Sequence, residues 1–384
     1  MDFSKKTAVI VSHVGMFGPP HELRDYLLTH KVKKLLFIGH SNKAMHDNAI
    51  KASFYEYYYK GTCVKRYESK LRNLPEFLGY IVDFFQTIFF TAFTLKGTAD
   101  YYIGLGNINA FSGLFLKTIG CTKSVYYYVI DYIPNRFENV IINYVYHFIE
   151  MLSALLSDQT WNYAKAMILE REKHWNRKFP HQTVVPNGIH IRPSTVSNFE
   201  SIHKHELIYL GTLSKQQGIH VVLDALPFII KHIPDIHFSL IGKGSYRNQL
   251  EKKIRILGIA KYVTFLGFID DPIEVDKRLG KGAVGVAMYD PELSFVIYTE
   301  PGKVKRYLSV GVPVIMTDVS PIAVSLEKKS CGFVCPYDKN MFAETVVRFI
   351  KDEEQMKVYR KNALTFVKNA TWEEIFTKAF AFTS

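Results

Sequence analysis

Cysteine is scarce in this 384-residue chain: Cys63, Cys121, Cys331 and Cys335 are too few and too scattered for a disulfide-stapled scaffold. Cys331 and Cys335 stand four apart, but no second close pair completes a zinc site. They read as structural thiols of a reduced, cytosolic protein, with no metal expected. A secretory leader is not evident, because the apolar run Thr7–Val11 soon meets His13, Gly15 and Gly18. Long hydrophobic runs are missing as well. Leu74–Leu95 is the one membrane candidate, yet Glu76 and Asp83 interrupt it. Its longest uncharged run, Phe84 to Leu95, falls short of the roughly twenty apolar residues that a bilayer crossing needs. A buried or interfacial helix is expected there, and no span. Solenoid repeats and low-complexity tracts are absent. Negative charge is in deficit, leaving a net charge of +12, which favours an anionic partner: nucleic acid, an anionic lipid surface or a phosphorylated substrate.

What is present suits two domains of roughly 150–200 residues each. Apolar residues make up 48%, enough for two cores, and aromatics reach 14%, nearly all Tyr and Phe. In the first half, Thr7–Val11, Leu35–Ile38, Tyr101–Leu105 and Val125–Ile130 read as short buried strands. Helical patterns at His21–Leu28 and Ala110–Thr118 alternate with them. The second half repeats the rhythm more clearly. Strands at Leu207–Leu210, His237–Ile241, Val263–Phe268, Val284–Met288 and Val314–Thr317 alternate with helices at Ile219–Ile233, Arg247–Leu257 and around Val304–Ser309. This is the pattern of doubly wound α/β domains, whose ligands lie beyond the strand carboxyl ends. The joint falls at Pro186-Asn187-Gly188, where an apolar strand meets turn residues.

Several loops have the chemistry of an anion site. Gly211–Gly218 is a strand-to-helix loop carrying Ser214 and Lys215, able to aim N–H groups, a hydroxyl and a cation at a diphosphate, or to serve as a plain connection. Gly242-Lys243-Gly244 ends a strand and permits close backbone approach. Glu300-Pro301-Gly302-Lys303 forms a turn into a helix whose N-terminus, with Lys303, could hold a departing phosphate.

Taken in order, Val184–Gly188, Tyr209–Leu213 with Gln217-Gly218, Leu240–Gly244, Val263–Gly267 and Glu300–Leu308 running into Gly311-Val312-Pro313-Val314-Ile315 resemble glycosyltransferase family 4. The likeness is specific over about 184–373 and looser before it. It implies the GT-B fold, two Rossmann-like doubly wound domains facing across a cleft. The boundaries would be 1–188 for the acceptor side, 189–355 for the nucleotide-sugar side, and 356–384 for a helical segment returning to the first domain. It also implies a retaining, metal-independent transfer from a UDP- or GDP-sugar, the donor being substrate rather than cofactor. Under this resemblance Lys303, Gly302, Pro301, Gly211, Ser214, Lys215, Gly242, Lys243 and Phe268 fall to the donor. Glu300 and Asp131, the latter at the end of the Val125–Ile130 strand, fall to the sugar.

The chain also departs from the family pattern. Thr212 and Gln217 replace the usual arginine and lysine of the first loop, and His190 replaces an aspartate. Counting back from Gly311, the two signature glutamates become Tyr298 and Arg306, so the spacing of Glu292 and Glu300 is coincidental. Arg306 cannot accept hydrogen bonds from ribose hydroxyls, and is expected to meet the diphosphate or base instead. These changes keep open a catalytically weak GT-B subunit, or another GT-B enzyme such as a sugar-nucleotide epimerase. In the first half, Gly15–Gly18 occupies the family's glycine-loop position, with Gly18 facing donor phosphates and His21 and Arg24 behind it. Asn107 and Asn109 are weaker candidates. Lys51–Arg72 mixes lysines and arginines with five tyrosines before the aromatic Leu74–Leu95. This combination suits peripheral docking on an anionic membrane at its cytoplasmic face and a lipid-linked or cell-envelope glycan acceptor, with nucleic acid disfavoured.

Overall fold

The computed structural model describes residues 2–14, 17–41, 52–72, 74–292 and 295–382. Gly15 and Lys51 lie outside these. Two compact units emerge: residues 1–186 joined by 372–384, and residues 187–371.

In the first unit the order is β1 (Thr7–Val14), α1 (Pro19–Thr29), β2 (Lys34–Ser41), β3 (Ala52–Tyr59), β4 (Thr62–Arg72), α2 (Glu76–Leu95), β5 (Ala99–Leu105), α3 (Asn107–Thr118), β6 (Thr122–Val129), α4 (Val140–Leu156), β7 (Gln159–Asn162), α5 (Lys165–Trp175) and β8 (Gln182–Val184). The eight-stranded sheet runs β4-β3-β2-β1-β5-β6-β7-β8, parallel except for the β3–β4 hairpin at one edge. The central strands are the continuous apolar runs of a sheet covered on both faces, such as Val9–Val11 and Leu35–Ile38, all fully buried.

The basic, tyrosine-rich stretch forms this hairpin, exposed from Lys60 to Glu68. The tyrosines of β3 pair antiparallel with β2, and the tip turns at Lys60-Gly61, both with positive φ. Arg24 of α1 reaches Glu56 on β3 at 3.3 Å, and Tyr58 donates to the same carboxylate at 2.7 Å. Helix α2 is long and apolar enough to cross a membrane by length and composition, a test that core helices also pass. Here Gly79, Asp83, Thr87 and Thr91 form its buried side.

The second unit follows with β9 (His203–Leu210), α6 (Ile219–His232), β10 (His237–Ile241), α7 (Arg247–Leu257), β11 (Val263–Gly267), α8 (Pro272–Gly280), β12 (Gly282–Ala287), α9 (Gly302–Ser309), β13 (Val314–Thr317), α10 (Ile322–Lys328), β14 (Gly332–Cys335), α11 (Lys339–Ile350) and α12 (Glu353–Val367). Its six strands are all parallel, in the order β11-β10-β9-β12-β13-β14. The order reverses beside β9, the switch point at which such sheets open a crevice.

The expected returning segment 356–384 is divided. Met356, Ala363 and Val367 of α12 are buried in the second unit's core, so that helix stays there. Only α13 (Trp372–Ala381) joins the first unit. There Phe380 meets Phe3 and Trp161 edge-on, each at 5.1 Å between ring centroids, and Tyr26 donates to or accepts from Thr377. Cys331 and Cys335 are buried in the second unit, where desolvation pushes both thiols up to about 12.

Candidate active site

In the second unit the loops after β9, β10 and β11 are joined backbone to backbone. Gly211 N–H donates to the Ile241 carbonyl at 2.9 Å, Leu213 N–H to Lys243 at 3.0 Å, and Gly242 N–H to Gly267 at 2.7 Å. This approach needs glycine: a Cβ on Gly242, whose φ is +141°, would lie 1.9 Å from the Gly211 oxygen. Gly218 closes the first loop at φ +63°, where a Cβ would fall 1.6 Å from the Met288 oxygen. Between Gly211 and Gly218, Ser214 opens a short 3-10 turn, Lys215–Gln217, and Lys215 points to solvent. Lys243 lies 5.1 Å from the ring centroid of Phe268, whose own ring is exposed.

Lys303, on the first turn of α9, completes this corner. Its Nζ donates to Gln217 Oε1 at 2.5 Å and stands 4.2 Å from the Tyr209 ring centroid and 5.2 Å from that of Tyr289. A Cβ on Gly211 would be 3.1 Å from that ammonium. Among the described residues it forms no ion pair, and desolvation alone pushes its pKa down to about 7 although some of the side chain still meets water. Gln217, standing where the family has lysine, thus receives Lys303 from another element. Gly211, Gly242, Lys243, Phe268, Lys303 and the loop bearing Ser214 and Lys215 share the carboxyl ends of β9, β10 and β11.

Other expected residues are placed elsewhere. Glu300 pairs with the buried Lys305 at 2.5 Å, and the same ammonium donates to the Asn187 carbonyl at 2.8 Å. The glutamate ties the turn to the start of the unit. Arg306 turns away onto α8, donating through Nε to Asp276 Oδ1 at 2.6 Å and through Nη2 to the Pro272 carbonyl at 2.9 Å. A nearly buried carboxylate within reach captures it, and Arg192 holds the other oxygen. Pro301 is the extended N-cap residue of α9, which has no side-chain cap, and Gly302 leaves room for Asn187, whose Nδ2 would meet an added Cβ at 2.9 Å. Glu292 is exposed, its N–H donating to Asp290.

The first unit has its own polar pocket, ≈ 200 Å³, beyond the carboxyl ends of β1, β5 and β6. Ser12, His13, Asn107, Asp131, Arg136 and Tyr80 line it. Asp131 is exposed to water at its rim, yet desolvation in the recess raises its carboxyl, opposed by the charge of Arg136. Because water still reaches it, that elevation is screened. Arg136 donates to Glu76 and, at 3.2 Å, to the Tyr80 hydroxyl. Gly18 lies apart from all this. Its φ of −178° is ordinary extended backbone, nothing stands within 4 Å of an added Cβ, and its N–H donates to His21 Nδ1 at 3.3 Å.

Sequence reasoning passed over the pair that anchors this pocket. The amide nitrogen of Asn109 can only donate, so His13 Nδ1 accepts at 3.2 Å and Nε2–H faces Asp83 Oδ2 at 3.2 Å. Ser53 donates to the other Asp83 oxygen at 3.0 Å and is itself 2.9 Å from His40 Nδ1, whose second nitrogen meets Thr87 at 2.7 Å. Desolvation would raise the Asp83 carboxyl, but its hydrogen bonds with His13 and His40 hold it far below the usual range. Their sequence separations of 70 and 43 residues left no local signal.

Comparison with known proteins adds a family to this geometry. Residues 204–352 match the model described as "Glycosyl transferases group 1". An alpha-D-kanosaminyltransferase of Streptomyces kanamyceticus is 26% identical over 159 residues, 41% of this chain and 39% of that protein. A phosphatidyl-myo-inositol mannosyltransferase of Mycobacterium leprae is 20% identical over 197 residues, 50% of each. The match therefore spans half or less of these curated relatives. Among solved structures, sucrose-phosphate synthase from Thermosynechococcus elongatus superposes with a TM-score of 0.73 at 14% identity, covering 99% of this chain and 98% of that one. Anabaena Alr3699/HepE in complex with UDP-glucose gives 0.71 at 16% identity, covering 98% and 99%. Both units share the architecture of GT-B proteins, and residues 204–352 of the second unit resemble the group 1 glycosyltransferases.

Proposed function

We propose that the protein is a retaining glycosyltransferase that takes a sugar from a UDP- or GDP-linked donor and passes it to a lipid-linked or cell-envelope glycan acceptor at the cytoplasmic face of a membrane. The observation that carries the donor half is Lys303: a cation between two tyrosine rings, without a carboxylate partner among the described residues, at the mouth of a glycine-lined switch point. A diphosphate there would supply the missing counter-charge, and its growing charge as the sugar departs would be met by Lys303, with Lys215 and Lys243 on adjoining loops. These three cations could fill the role that a divalent metal plays elsewhere. The acceptor oxygen would form its bond to the anomeric carbon as the carbon–phosphate oxygen bond breaks. The acceptor's proton would pass to the leaving phosphate, which keeps the step metal-free and needs no separate base.

Two relatives support parts of this reading: one structural neighbour was solved with UDP-glucose, and one sequence relative is a phosphatidyl-inositol mannosyltransferase by name. Asp131 is the residue we assign to the transferred sugar or the acceptor hydroxyl. A second reading, a GT-B subunit of weak activity, is favoured by Arg306 and Glu300, both committed to ion pairs in the second unit. A panel of sugar nucleotides decides between them, read by thermal shift and by donor consumption with and without acceptor. A donor that raises the melting temperature and is consumed supports the enzyme. No shift at millimolar concentration removes it, a shift without turnover leaves the subunit, and interconversion without acceptor marks an epimerase.

A further inference from the structure

Helix α2 carries its two sides inverted. Gly79, Asp83, Thr87 and Thr91, spaced four apart, face inward with Phe90 and Leu95, while Phe77, Ile81, Phe85, Phe89 and Phe93, also four apart, are 44–68% exposed. A helix on a water-bathed surface turns its apolar stripe the other way. Beside it α4 exposes Val140, Ile141, Tyr144, Val145 and Phe148. Between α2, α3 and α4 runs a groove of ≈ 290 Å³ lined only by apolar and aromatic side chains, among them Ile81, Phe84, Phe111, Ile142, Val145 and Ile149.

The groove does not end in hydrocarbon. Tyr80, Ile108 and Tyr146 line both it and the polar pocket that contains Ser12, His13, Asn107 and Asp131. One occupant would therefore meet apolar walls along its length and hydroxyl-binding groups at its end.

We propose that this groove seats the hydrocarbon chain of a membrane-derived amphiphile whose hydroxylated head reaches Asp131, and that this molecule is the acceptor. The word acceptor rests on the transferase reading. The chain-binding site does not, and it is measured without any sugar nucleotide.

The experiment titrates octyl, nonyl and decyl β-glucoside, each below its micelle concentration, into the full chain by calorimetry. Each methylene added should tighten binding about fourfold, the equivalent of about 0.8 kcal/mol. Replacing Ile81 and Val145 together by glutamine should weaken decyl glucoside at least tenfold, and because both are exposed the fold is spared. Phe93→Gln, on the α2 stripe but away from the groove lining, should leave affinity unchanged. Asp131→Asn should weaken all three lengths by one common factor. An affinity indifferent to chain length overturns the proposal, as does Phe93→Gln being as harmful as the groove pair. So does a concentration-dependent dimer in sedimentation that the groove pair disperses, since a second copy would then cover this face. If the chain-length series holds while no sugar nucleotide binds, the groove stands and the transferase reading falls.

Discussion

Binding of UDP-glucose should weaken about tenfold between pH 6 and pH 8, and Lys303 should be the reason. Desolvation brings its pKa down to about 7, so at pH 6 roughly nine in ten apoprotein molecules carry the charge and at pH 8 roughly one in eleven. A diphosphate beside the amine favours the ammonium, so binding at pH 8 must first recruit a proton. That loss of competent population is about tenfold in Kd, or about 1.4 kcal/mol. UDP-glucose suits the test because its diphosphate is esterified at both ends and does not itself titrate over this range. Calorimetry at pH 8 in buffers of different ionisation heat should register uptake of about 0.9 proton per ligand, falling to about 0.1 at pH 6. Lys303→Met should bind weakly with no pH slope and no uptake.

The stability of the free protein should show the opposite dependence. Because the folded pKa lies below the unfolded value near 10.5, this residue favours the folded state at high pH. That contribution fades as pH falls toward 7 and is level below it. Lys303→Met should therefore melt above the wild type at neutral pH. A wild-type protein that takes up no proton at pH 8, or a methionine variant with the same slope, refutes the account.

Further outcomes follow from other parts of the structure. Gly218→Ala should destabilise the second unit by ~2–4 kcal/mol in urea unfolding, since its φ is +63° and Met288 blocks the methyl, whereas Gly18→Ala should change stability by less than ~0.5 kcal/mol. Asp83→Ala should cost ~3–5 kcal/mol and expose α2 to limited proteolysis, because it strands His13, Ser53 and His40 around a void. Restoring the family's glutamate by Arg306→Glu should lower stability by ~1–3 kcal/mol without tightening UDP binding, because the new carboxylate faces Asp276 rather than a ribose. A tighter complex with that variant would show the arginine to be a switchable donor contact.

The second unit's sheet was legible because its strands are short apolar runs, several closed by a glycine turn, as at Leu207–Gly211 and His237–Gly242. A parallel sheet covered on both faces imposes that pattern on its own sequence. Glycines were legible as close approaches for the same reason. Long-range capture was not. Nothing near Arg306 announces Asp276 thirty residues earlier, and nothing near Gln217 announces the lysine that reaches it from α9. Asp83 misled most directly. It read as a flaw in an apolar segment, yet it is buried while Phe77, Phe85, Phe89 and Phe93 of the same helix face outward. The hairpin was hidden by its charges, which its edge position leaves in water.

Because α13 completes the first unit from the far end of the chain, a ribosome must build the whole second unit before it can deliver that helix. At 5–20 residues per second the wait is roughly ten to forty seconds. Throughout it Phe3, Tyr26 and Trp161 lack the aromatic partners that Phe376 and Phe380 provide. A nascent chain truncated before Trp372 would carry an open, sticky seam, a natural station for a chaperone and a reason to place purification tags at the amino end.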